Sequence, residues 1–299
     1  MNVVLVGDGA AGIRALRAIV SGSTRVVAVV TDDAELARSA RTLDVPVRSV
    51  SAVDDPGFGP WMREQGVDLL LNVYSLRVLP HAIVSAPLVG SFNLHPGPLP
   101  EYAGLNAPSW AIYRGETTHA VTLHWMEDGI DTGPIAFASS FPITAQDTGL
   151  SVSLRCVTEG IPLITQLLET SAGSIPARPQ DLDRRHYFGR AAPNDGRVSW
   201  ESSARQLVDL VRASDYRPFR SPWGHPRARH GERELLVLQA ARTFRVADAP
   251  PGTVADTDEK AALVATADEW IRLERVNLDG RSVAAGDVLT SGDRLEGGA

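Results

Sequence analysis

The first half of the chain alternates between short, continuously apolar runs and segments with helical spacing. The runs at residues 3–6, 26–30 and 69–73 have the length of strands and are rich in valine and leucine, and residues 92–95 are predicted as a further strand that Pro96 ends. Strands that are apolar on both faces are typical of a parallel sheet covered by helices on both sides. This pattern restricts the first half to an α/β domain built on a mostly parallel sheet.

The pattern changes past about residue 175. Residues 175–194 combine prolines with many charges, which is typical of a linker. A helix is predicted over residues 204–213, and short strands separated by turn signals follow it. Short strands at such spacing predict a small β-barrel or sandwich. These strands are predicted at residues 234–238, 252–255, 261–265 and 270–276.

These two patterns divide the 299 residues into two domains, a number that the length also favours. We predict that residues 1–180 form the first domain, residues 181–200 a linker and residues 201–299 the second domain. The last residues, 296–299, are predicted to be a frayed tail. A homodimer is compatible with the sequence, which does not fix the oligomeric state.

Net charge, cysteine content and hydrophobic runs limit the binding partners and the cellular compartment that we expect. The formal net charge of -7 disfavours binding to nucleic acid or anionic membranes unless a local basic patch opposes it. The single cysteine, Cys156, excludes an intramolecular disulfide and fits a reducing compartment. The chain has no signal-peptide pattern and no apolar run near the roughly 20 residues that span a bilayer. We therefore expect a cytoplasmic protein with no membrane partner.

A glycine-rich turn follows the first predicted strand. Gly7, Gly9 and Gly12 open a helix, and Asp32 ends the next strand. In dinucleotide-binding sites such glycines admit the pyrophosphate, and the acid binds a ribose. Any tight turn from a first strand into its helix also needs small residues. Taken alone, the turn leaves an NAD(P)-dependent oxidoreductase open as an alternative.

Two polar clusters in the middle of the chain fit acyl transfer to an amine. Asn93 and His95 share one face of a strand that Pro96 ends, and ligand crevices of open α/β sheets lie at such strand ends. Asp131 lies in a second cluster, an acidic loop with two glycines at residues 126–133. The reaction needs a base, a donor to the developing oxyanion and a group that orients the base. Imidazole, amide and carboxylate fit these three roles.

Residues 93–133 resemble the folate-dependent formyltransferases, which include glycinamide ribonucleotide, methionyl-tRNA and amino-sugar formyltransferases. The shared features are Asn-x-His-Pro at residues 93–96, a Leu-Pro turn at 99–100, a glycine at 104 and Asp-x-Gly at 131–133. The resemblance implies a Rossmann-like formyltransferase domain that uses 10-formyltetrahydrofolate and no metal. It also implies that the catalytic residues are Asn93, His95 and Asp131.

The same resemblance implies binding residues around this centre. Two segments are expected to hold the pterin of the folate, and a third set is expected on the acceptor side. For Leu76 and Val78, membership of the plain core is the alternative. The folate residues are Leu76, Arg77, Val78, Leu79, Met126, Glu127, Asp128, Gly129 and Ile130, and the acceptor-side residues are Gly97, Pro98, Gly104 and Asn106.

The C-terminal half of the sequence indicates which group of formyltransferases the chain resembles most. Several short stretches resemble the linker and OB-like domain of two-domain members such as the methionyl-tRNA and aminoarabinose formyltransferases. They are residues 187–190, 195–196, 200, 212, 218–219 and 251–253. The resemblance implies that residues 201–299 form an OB-like small β-barrel domain. Stand-alone purine-pathway enzymes resemble only the first two-thirds of the chain, so that acceptor is not expected.

Three features disfavour a tRNA acceptor. Residues 196–299 hold 15 Lys+Arg and 16 Asp+Glu, whereas nucleic-acid binding relies on cationic contacts to phosphate. The glycine- and lysine-rich insertion that tRNA enzymes carry after the second strand is absent from the sequence, and Ala103 replaces a family arginine. We therefore expect a small-molecule amine, such as an amino-sugar nucleotide or an amino-acid-derived metabolite. Methionyl-tRNA stays an alternative, because a local patch is available at Arg217, Arg220, Arg227, Arg229 and Arg233.

Overall fold

The computed structural model describes residues 1–298, so Ala299 of the predicted second domain and tail lies outside the described residues. Contacts between Cα atoms divide the chain into two compact units, the N-terminal unit and the C-terminal unit. The predicted domain boundaries at residues 180 and 200 stay a prediction. The N-terminal unit comprises Met1–Ala107, Thr118–Pro142 and Ser153–Phe188, and the C-terminal unit comprises Pro108–Thr117, Ile143–Val152 and Gly189–Ala299.

The N-terminal unit contains a seven-stranded sheet in the order β3-β2-β1-β4-β5-β7-β8. The first five strands in this order are parallel, and β7 and β8 are antiparallel, which confirms the predicted mostly parallel α/β sheet. A separate parallel pair joins β6 (Ala103–Gly104) to β9 (Tyr187–Phe188). The strands of the large sheet are β1 (Asn2–Gly7), β2 (Arg25–Val30), β3 (Val47–Arg48), β4 (Leu69–Val73), β5 (Gly90–His95), β7 (Thr118–Trp125) and β8 (Ile135–Pro142).

Local signals explain where several helices begin. Asp33 accepts a hydrogen bond from the backbone N–H of Leu36 and so caps α2. Ser203 and Gln206 form a reciprocal capping box at the start of α7. The helices are α1 (Gly9–Val20), α2 (Ala34–Thr42), α3 (Phe58–Glu64), α4 (His81–Val84), α5 (Ala107–Tyr113), α6 (Gly149–Glu169) and α7 (Ala204–Ala213).

The sequence also predicts an extended segment at residues 45–50, and this prediction is wrong over much of its length. Only Val47–Arg48 pair as β3, and a 3-10 turn begins at Val50. The side chain of Ser49 caps this turn by accepting from the backbone N–H of Ser51. A side-chain acceptor at this position competes with strand pairing for the backbone donors.

The C-terminal unit contains an antiparallel sheet in the order β12-β13-β14-β11-β10-β16, with β15 paired to β14. Helix α7 buries one apolar face, including Leu207 and Val211, in the same core cluster as Val237 and Ile271 of this sheet. This sheet is the predicted second, all-β domain. Its strands are β10 (Arg227–His230), β11 (Arg233–Val246), β12 (Val254–Thr257), β13 (Ala262–Ala265), β14 (Glu269–Leu278), β15 (Arg281–Ala284) and β16 (Leu295–Gly297).

Two sequence predictions for the C-terminal unit need correction. The strand predicted at residues 234–238 is only the beginning of β11, because bulges let the strand continue through polar positions to Val246. The predicted frayed tail is wrong for residues 296–297, because Leu295–Gly297 pair with β10 and Leu295 is buried. Among the described residues, none of the helices has the length and apolar character needed to cross a membrane.

Candidate active site

The three predicted catalytic side chains meet at the carboxyl end of β5. Asn93 Nδ2 lies 3.3 Å from Asp131 Oδ1, and His95 Nδ1 lies 3.4 Å from Asp131 Oδ2. His95 is 3% exposed and Asp131 is 8% exposed, whereas Asn93 is half-buried. A buried carboxylate therefore faces an imidazole and an amide, and the amide is the most accessible of the three groups.

The loop that follows β7 holds Asp131 in place through its backbone. Asp131 has a φ of 55°, a left-handed conformation that aspartate tolerates better than most residues. The backbone N–H of Gly104 donates to Asp131 Oδ2 at 2.8 Å. Burial opposes ionisation, but the facing imidazoles of His95 and His124 and the Gly104 N–H hold the pKa of Asp131 well below its usual range. The site therefore contains a fixed negative charge at neutral pH.

The position of the proton on His95 follows from its backbone partner. His95 Nε2 lies 2.6 Å from the carbonyl oxygen of Tyr102, and a carbonyl can only accept, so Nε2 carries a hydrogen. Burial lowers the pKa of His95, and although the charge of Asp131 opposes this effect, the net direction is downward. The imidazolium therefore loses its proton more readily than that of an ordinary histidine, and Nδ1, the nitrogen that faces Asp131, is the one that gives it up.

His124 is a fourth polar member of the centre that the sequence analysis missed. Its Nδ1 lies 2.7 Å from the carbonyl oxygen of Trp125, which can only accept, so Nδ1 carries a hydrogen. Nε2 lies 3.1 Å from Asn93 Nδ2 and 3.4 Å from Asp131 Oδ1. The strand β7 that carries His124 was not predicted. The available signal was an isolated histidine near the end of an apolar run shortly before Asp131.

Two side chains of β7 hold the turn after β5. His119 Nε2 donates to the carbonyl of Pro96 at 2.9 Å, and Thr122 donates to the carbonyl of Gly97 at 2.8 Å. Burial lowers the pKa of His119 to about 4. A Cβ on Gly97 would lie 2.9 Å from His95 Nε2 and 3.0 Å from the Tyr102 carbonyl oxygen. The structure thus gives Gly97 a packing role beside the His95 hydrogen bond.

The other residues predicted on the acceptor side follow this turn. Gly104 has a φ of 92°, and a Cβ there would overlap the carbonyl of Phe188 and the ring of Tyr187. Asn106, with a φ of 59°, and Pro98 are both half-buried. Gly104 contacts the catalytic cluster through the hydrogen bond from its backbone N–H to Asp131.

Of the residues predicted to bind the folate, only the stretch 126–129 lines a cavity of about 550 Å³, and residues 76–79 and 130 lie outside its lining. Its lining includes the predicted stretch 126–129, together with His81 and Trp125. Leu79 is buried in the same apolar cluster that Met126 packs against, so the two predicted segments come together. His81 and Asp128 form a hydrogen-bonded pair at 2.6 Å at this cavity.

Leu76 and Val78 do not belong to the core. They are 75% and 69% exposed, and Ile130 is 45% exposed, so the plain-core alternative for the first two is wrong. The neighbouring Arg77 forms an ion pair with Asp54.

The glycine turn after β1 has structural reasons for its composition. A Cβ on Gly7 would lie 3.1 Å from the Val73 carbonyl, and one on Gly12 would lie 2.7 Å from a methyl group of Leu36. Asp32 Oδ1 accepts hydrogen bonds from the Ser49 hydroxyl at 2.8 Å and the Val50 N–H at 3.2 Å. The fingerprint spacing is therefore explained by packing and local hydrogen bonds. Among the described residues, no cluster of three or more metal-ligating side chains is present.

Comparison with known proteins gives consistent similarities. Residues 1–167 match the family model described as formyl transferase, and residues 190–294 match the model of the formyl transferase C-terminal domain. A methionyl-tRNA formyltransferase of Sorangium cellulosum is 32% identical over 263 residues, covering 87% of this chain and 82% of that protein.

Solved structures share the fold at lower sequence identity. An N-formyltransferase from Helicobacter canadensis, in complex with folinic acid and dTDP-3-aminofucose, is 17% identical with a TM-score of 0.65, covering 91% of this chain and 98% of that one. The sugar 3N-formyltransferase WlaRD, in the presence of dTDP and 5-N-formyl-THF, is 16% identical with a TM-score of 0.67, covering 94% and 98% of the two chains.

Proposed function

Since this chain belongs to the formyl transferase family, we propose that it moves a formyl group from 10-formyltetrahydrofolate to the amine of a small molecule. The observation that carries the proposal is the convergence of Asn93 and His95 on the buried carboxylate of Asp131. Family membership favours this activity over the nicotinamide-dependent alternative. Asp32, the residue that would bind a ribose in that alternative, is already engaged by Ser49 and Val50.

Three observations support a folate as the formyl donor. The structurally similar proteins named above were solved with folinic acid or 5-N-formyl-THF. In this chain, the cavity lined by residues 126–129 lies beside the loop that carries Asp131. Leu76 and Val78 expose apolar side chains that a flat heterocycle would cover.

The donor supplies an activated formyl carbon, and the residues of the chain supply the proton transfer and the charge stabilisation. Asn93 Nδ2 donates to the formyl oxygen while negative charge develops there. His95 Nδ1 takes a proton from the attacking amine, since Nε2 is held by Tyr102. The amine nitrogen bonds to the formyl carbon, and Asp131 stabilises the imidazolium that the proton transfer creates. When the bond between the formyl carbon and N10 of the folate breaks, the imidazolium returns the proton to N10, so that tetrahydrofolate leaves as the neutral amine and His95 is restored.

The charges of the C-terminal unit support a small amine rather than a tRNA. In the described part of this unit six arginines form ion pairs with its own acids, so they are engaged before any phosphate binds. Of the predicted patch, Arg217 and Arg233 are paired in this way, and Arg227 donates to the Asp195 carbonyl. The pairs are Arg205 and Arg212 with Asp209, Arg217 with Asp215, Arg233 with Asp279, Arg242 with Glu269 and Arg272 with Asp258.

Methionyl-tRNA is the second candidate acceptor. The observation that favours it is the 32% identity with the Sorangium cellulosum methionyl-tRNA formyltransferase over most of both chains. The two acceptors differ in charge. A tRNA acceptor requires phosphate contacts, and its binding therefore weakens steeply as salt increases.

The proposed donor is tested by calorimetric titration with 5-formyltetrahydrofolate, repeated with NAD and NADP. We expect binding of the folate and none of the dinucleotides. The acceptor is then tested with 10-formyltetrahydrofolate against amino-sugar nucleotides, amino-acid-derived amines and methionyl-tRNA. Transfer to a small amine supports the proposal, whereas salt-sensitive transfer to methionyl-tRNA alone selects the second candidate. Dinucleotide binding without folate binding refutes the proposed donor.

A further inference from the structure

Asn72 lies on β4 directly beside Asn93 on β5. The two residues are partners in the parallel register of these strands, and Asn72 is 6% exposed. Its side-chain amide is close enough to bond the side-chain amide of Asn93, at 3.0 Å. We propose that Asn72 is a positioning residue, which fixes the amide of Asn93 with its NH₂ group toward Asp131.

The backbone of Ser75 determines the orientation of the Asn72 amide. Asn72 Nδ2 lies 3.3 Å from the Ser75 carbonyl oxygen as well as 3.0 Å from Asn93 Oδ1. A carbonyl oxygen can only accept, so the group that faces it must be the NH₂ group. A rotation of the Asn72 amide by 180° would place its oxygen, Oδ1, next to two other oxygens, the Ser75 carbonyl oxygen and Asn93 Oδ1. One orientation is therefore favoured, and it presents a donor to Asn93.

The donor from Asn72 in turn determines the orientation of Asn93. Because Asn93 Oδ1 accepts this hydrogen bond, Nδ2 points the other way, toward Asp131 and His124. In the reverse orientation the carbonyl oxygen of Asn93 would face the Asp131 carboxylate. No Asn93 donor would then be directed to the formyl oxygen. The Asp131 carboxylate favours the same orientation from the other end of the amide, and the hydrogen bond from Asn72 adds the second contact that holds it.

The environment of Asn72 Oδ1, the second polar atom of this side chain, indicates that an asparagine is not present at position 72 for the stability of the fold. Asn72 Oδ1 is buried and has no hydrogen-bond partner within residues 1–298. A buried acceptor without a partner destabilises the folded state. The neighbours Leu71 and Val73 on β4 are buried without such an atom. Donation to the Ser75 carbonyl and donation to Asn93 Oδ1 are the two interactions that only a polar residue at this position provides, and the second one reaches the catalytic cluster.

This inference rests on the proposed formyl transfer, and its kinetic test compares Asn72→Ala with the wild-type enzyme. The amide of Asn93 acts on charge that develops during the reaction. We therefore expect kcat to fall about tenfold or more while the KM values for folate and amine stay unchanged. Asn72→Asp has nearly the same shape. Its carboxylate would accept from the Asn93 NH₂ group and turn it away, so a larger loss is expected at neutral pH.

A double variant distinguishes positioning from a general structural effect. In an Asn93→Ala background, Asn72→Ala should change kcat by less than about twofold, because residues that act through one another are not additive. Thr31→Val is the matched control. It removes a buried hydroxyl that donates to Asp8 at 3.1 Å at the same edge of the sheet, and it should leave kcat unchanged. Additive losses, or an equal loss in Thr31→Val, would overturn the inference.

A nuclear magnetic resonance measurement tests the inference without any activity. The chain has six asparagines, so ¹⁵N-asparagine labelling gives few side-chain signals, and Asn93→Ala identifies the Asn93 pair. These resonances should move in Asn72→Ala and stay in place in Thr31→Val. Unmoved Asn93 signals in Asn72→Ala refute the inference even if the wild-type enzyme transfers formyl groups. Moved signals with no transfer by the wild-type enzyme refute the proposed function instead.

Discussion

The carboxyl ends of β1 and β5 lie at the same edge of one sheet, and both lead into glycine-containing turns. At β1, close packing explains Gly7 and Gly12, and a φ of 57° explains Gly9. Asp32 bonds to nearby groups. At β5 the polar side chains instead converge on Asp131, which comes from a separate loop. The turn after β1 has the glycine spacing of a known binding motif, yet only the end of β5 brings together side chains that can carry out a reaction.

The difference shows what converts a polar sheet edge into a reactive one. Burial shifts a pKa only where water is excluded, and a buried charge needs partners that hold it. The β5 end has these partners because β7 and the loop after it lie against β5. Asp8 at the β1 end has a pKa raised by partial burial, but it hydrogen-bonds Thr31 rather than an imidazole.

The largest expected effect comes from removing a member of the β5 cluster. His95→Ala, Asn93→Ala and Asp131→Ala should each reduce the rate of formyl transfer by about a hundredfold or more, since each removes a proton acceptor or a charge-stabilising group. Steady-state kinetics measures the loss, and circular dichroism checks that the fold is kept. Near-wild-type activity in His95→Ala would contradict its role as the base.

A second effect concerns the stability of the turn after β5. The pKa of His119 is about 4 in the folded chain, whereas an unfolded histidine titrates near pH 6.5. Between these values the unfolded chain binds a proton that the folded chain does not, so stability is full above about pH 6.5 and falls toward pH 4. At pH 5 the loss from this residue is about 2 kcal/mol.

His119→Gln tests this contribution, because glutamine retains a donor for Pro96 and does not titrate. The difference in unfolding free energy between pH 7 and pH 5 should shrink by about 2 kcal/mol relative to the wild-type chain, as urea denaturation can measure. An unchanged difference would mean that His119 does not carry this acid sensitivity.

The two glycine turns give a matched pair of variants with a smaller effect. Gly97→Ala places a methyl group against His95 Nε2 and the Tyr102 carbonyl, so we expect a loss of about tenfold in transfer rate. Gly12→Ala meets the movable end of Leu36, and its activity should stay within about twofold of wild type. Equal losses in the two variants, measured under the same conditions, would remove the distinction between the turns.

The smallest expected effect on the transfer rate comes from a substitution of Asp32, which lies near the carboxyl end of β1. Asp32→Asn keeps an oxygen that can accept from Ser49 and Val50, so transfer should change by less than about twofold. Folate affinity by calorimetry should also be unchanged. A loss of about tenfold would show that the β1 end takes part in acceptor binding.

Local signals were sufficient for part of the fold and part of the site. The apolar runs predicted β1, β2 and β4, and the helix predicted at residues 204–213 matches α7, because periodicity and capping act over a few residues. Asn93 and His95 were predicted together because strand geometry places alternate side chains on one face. The strands β7 and β8 and the helix α6 were missed, since their place depends on packing against distant segments.

The sequence by itself therefore determined the two kinds of domain, the strand end that carries Asn93 and His95, and, through resemblance, the partnership with Asp131. Only the tertiary structure placed His124 and Asn72 on either side of Asn93. Strand order and register decide which side chains meet across a sheet, and both are set by burial of the sheet faces rather than by neighbouring residues. The orientation of one amide depends in turn on a carbonyl at Ser75, which no linear pattern encodes.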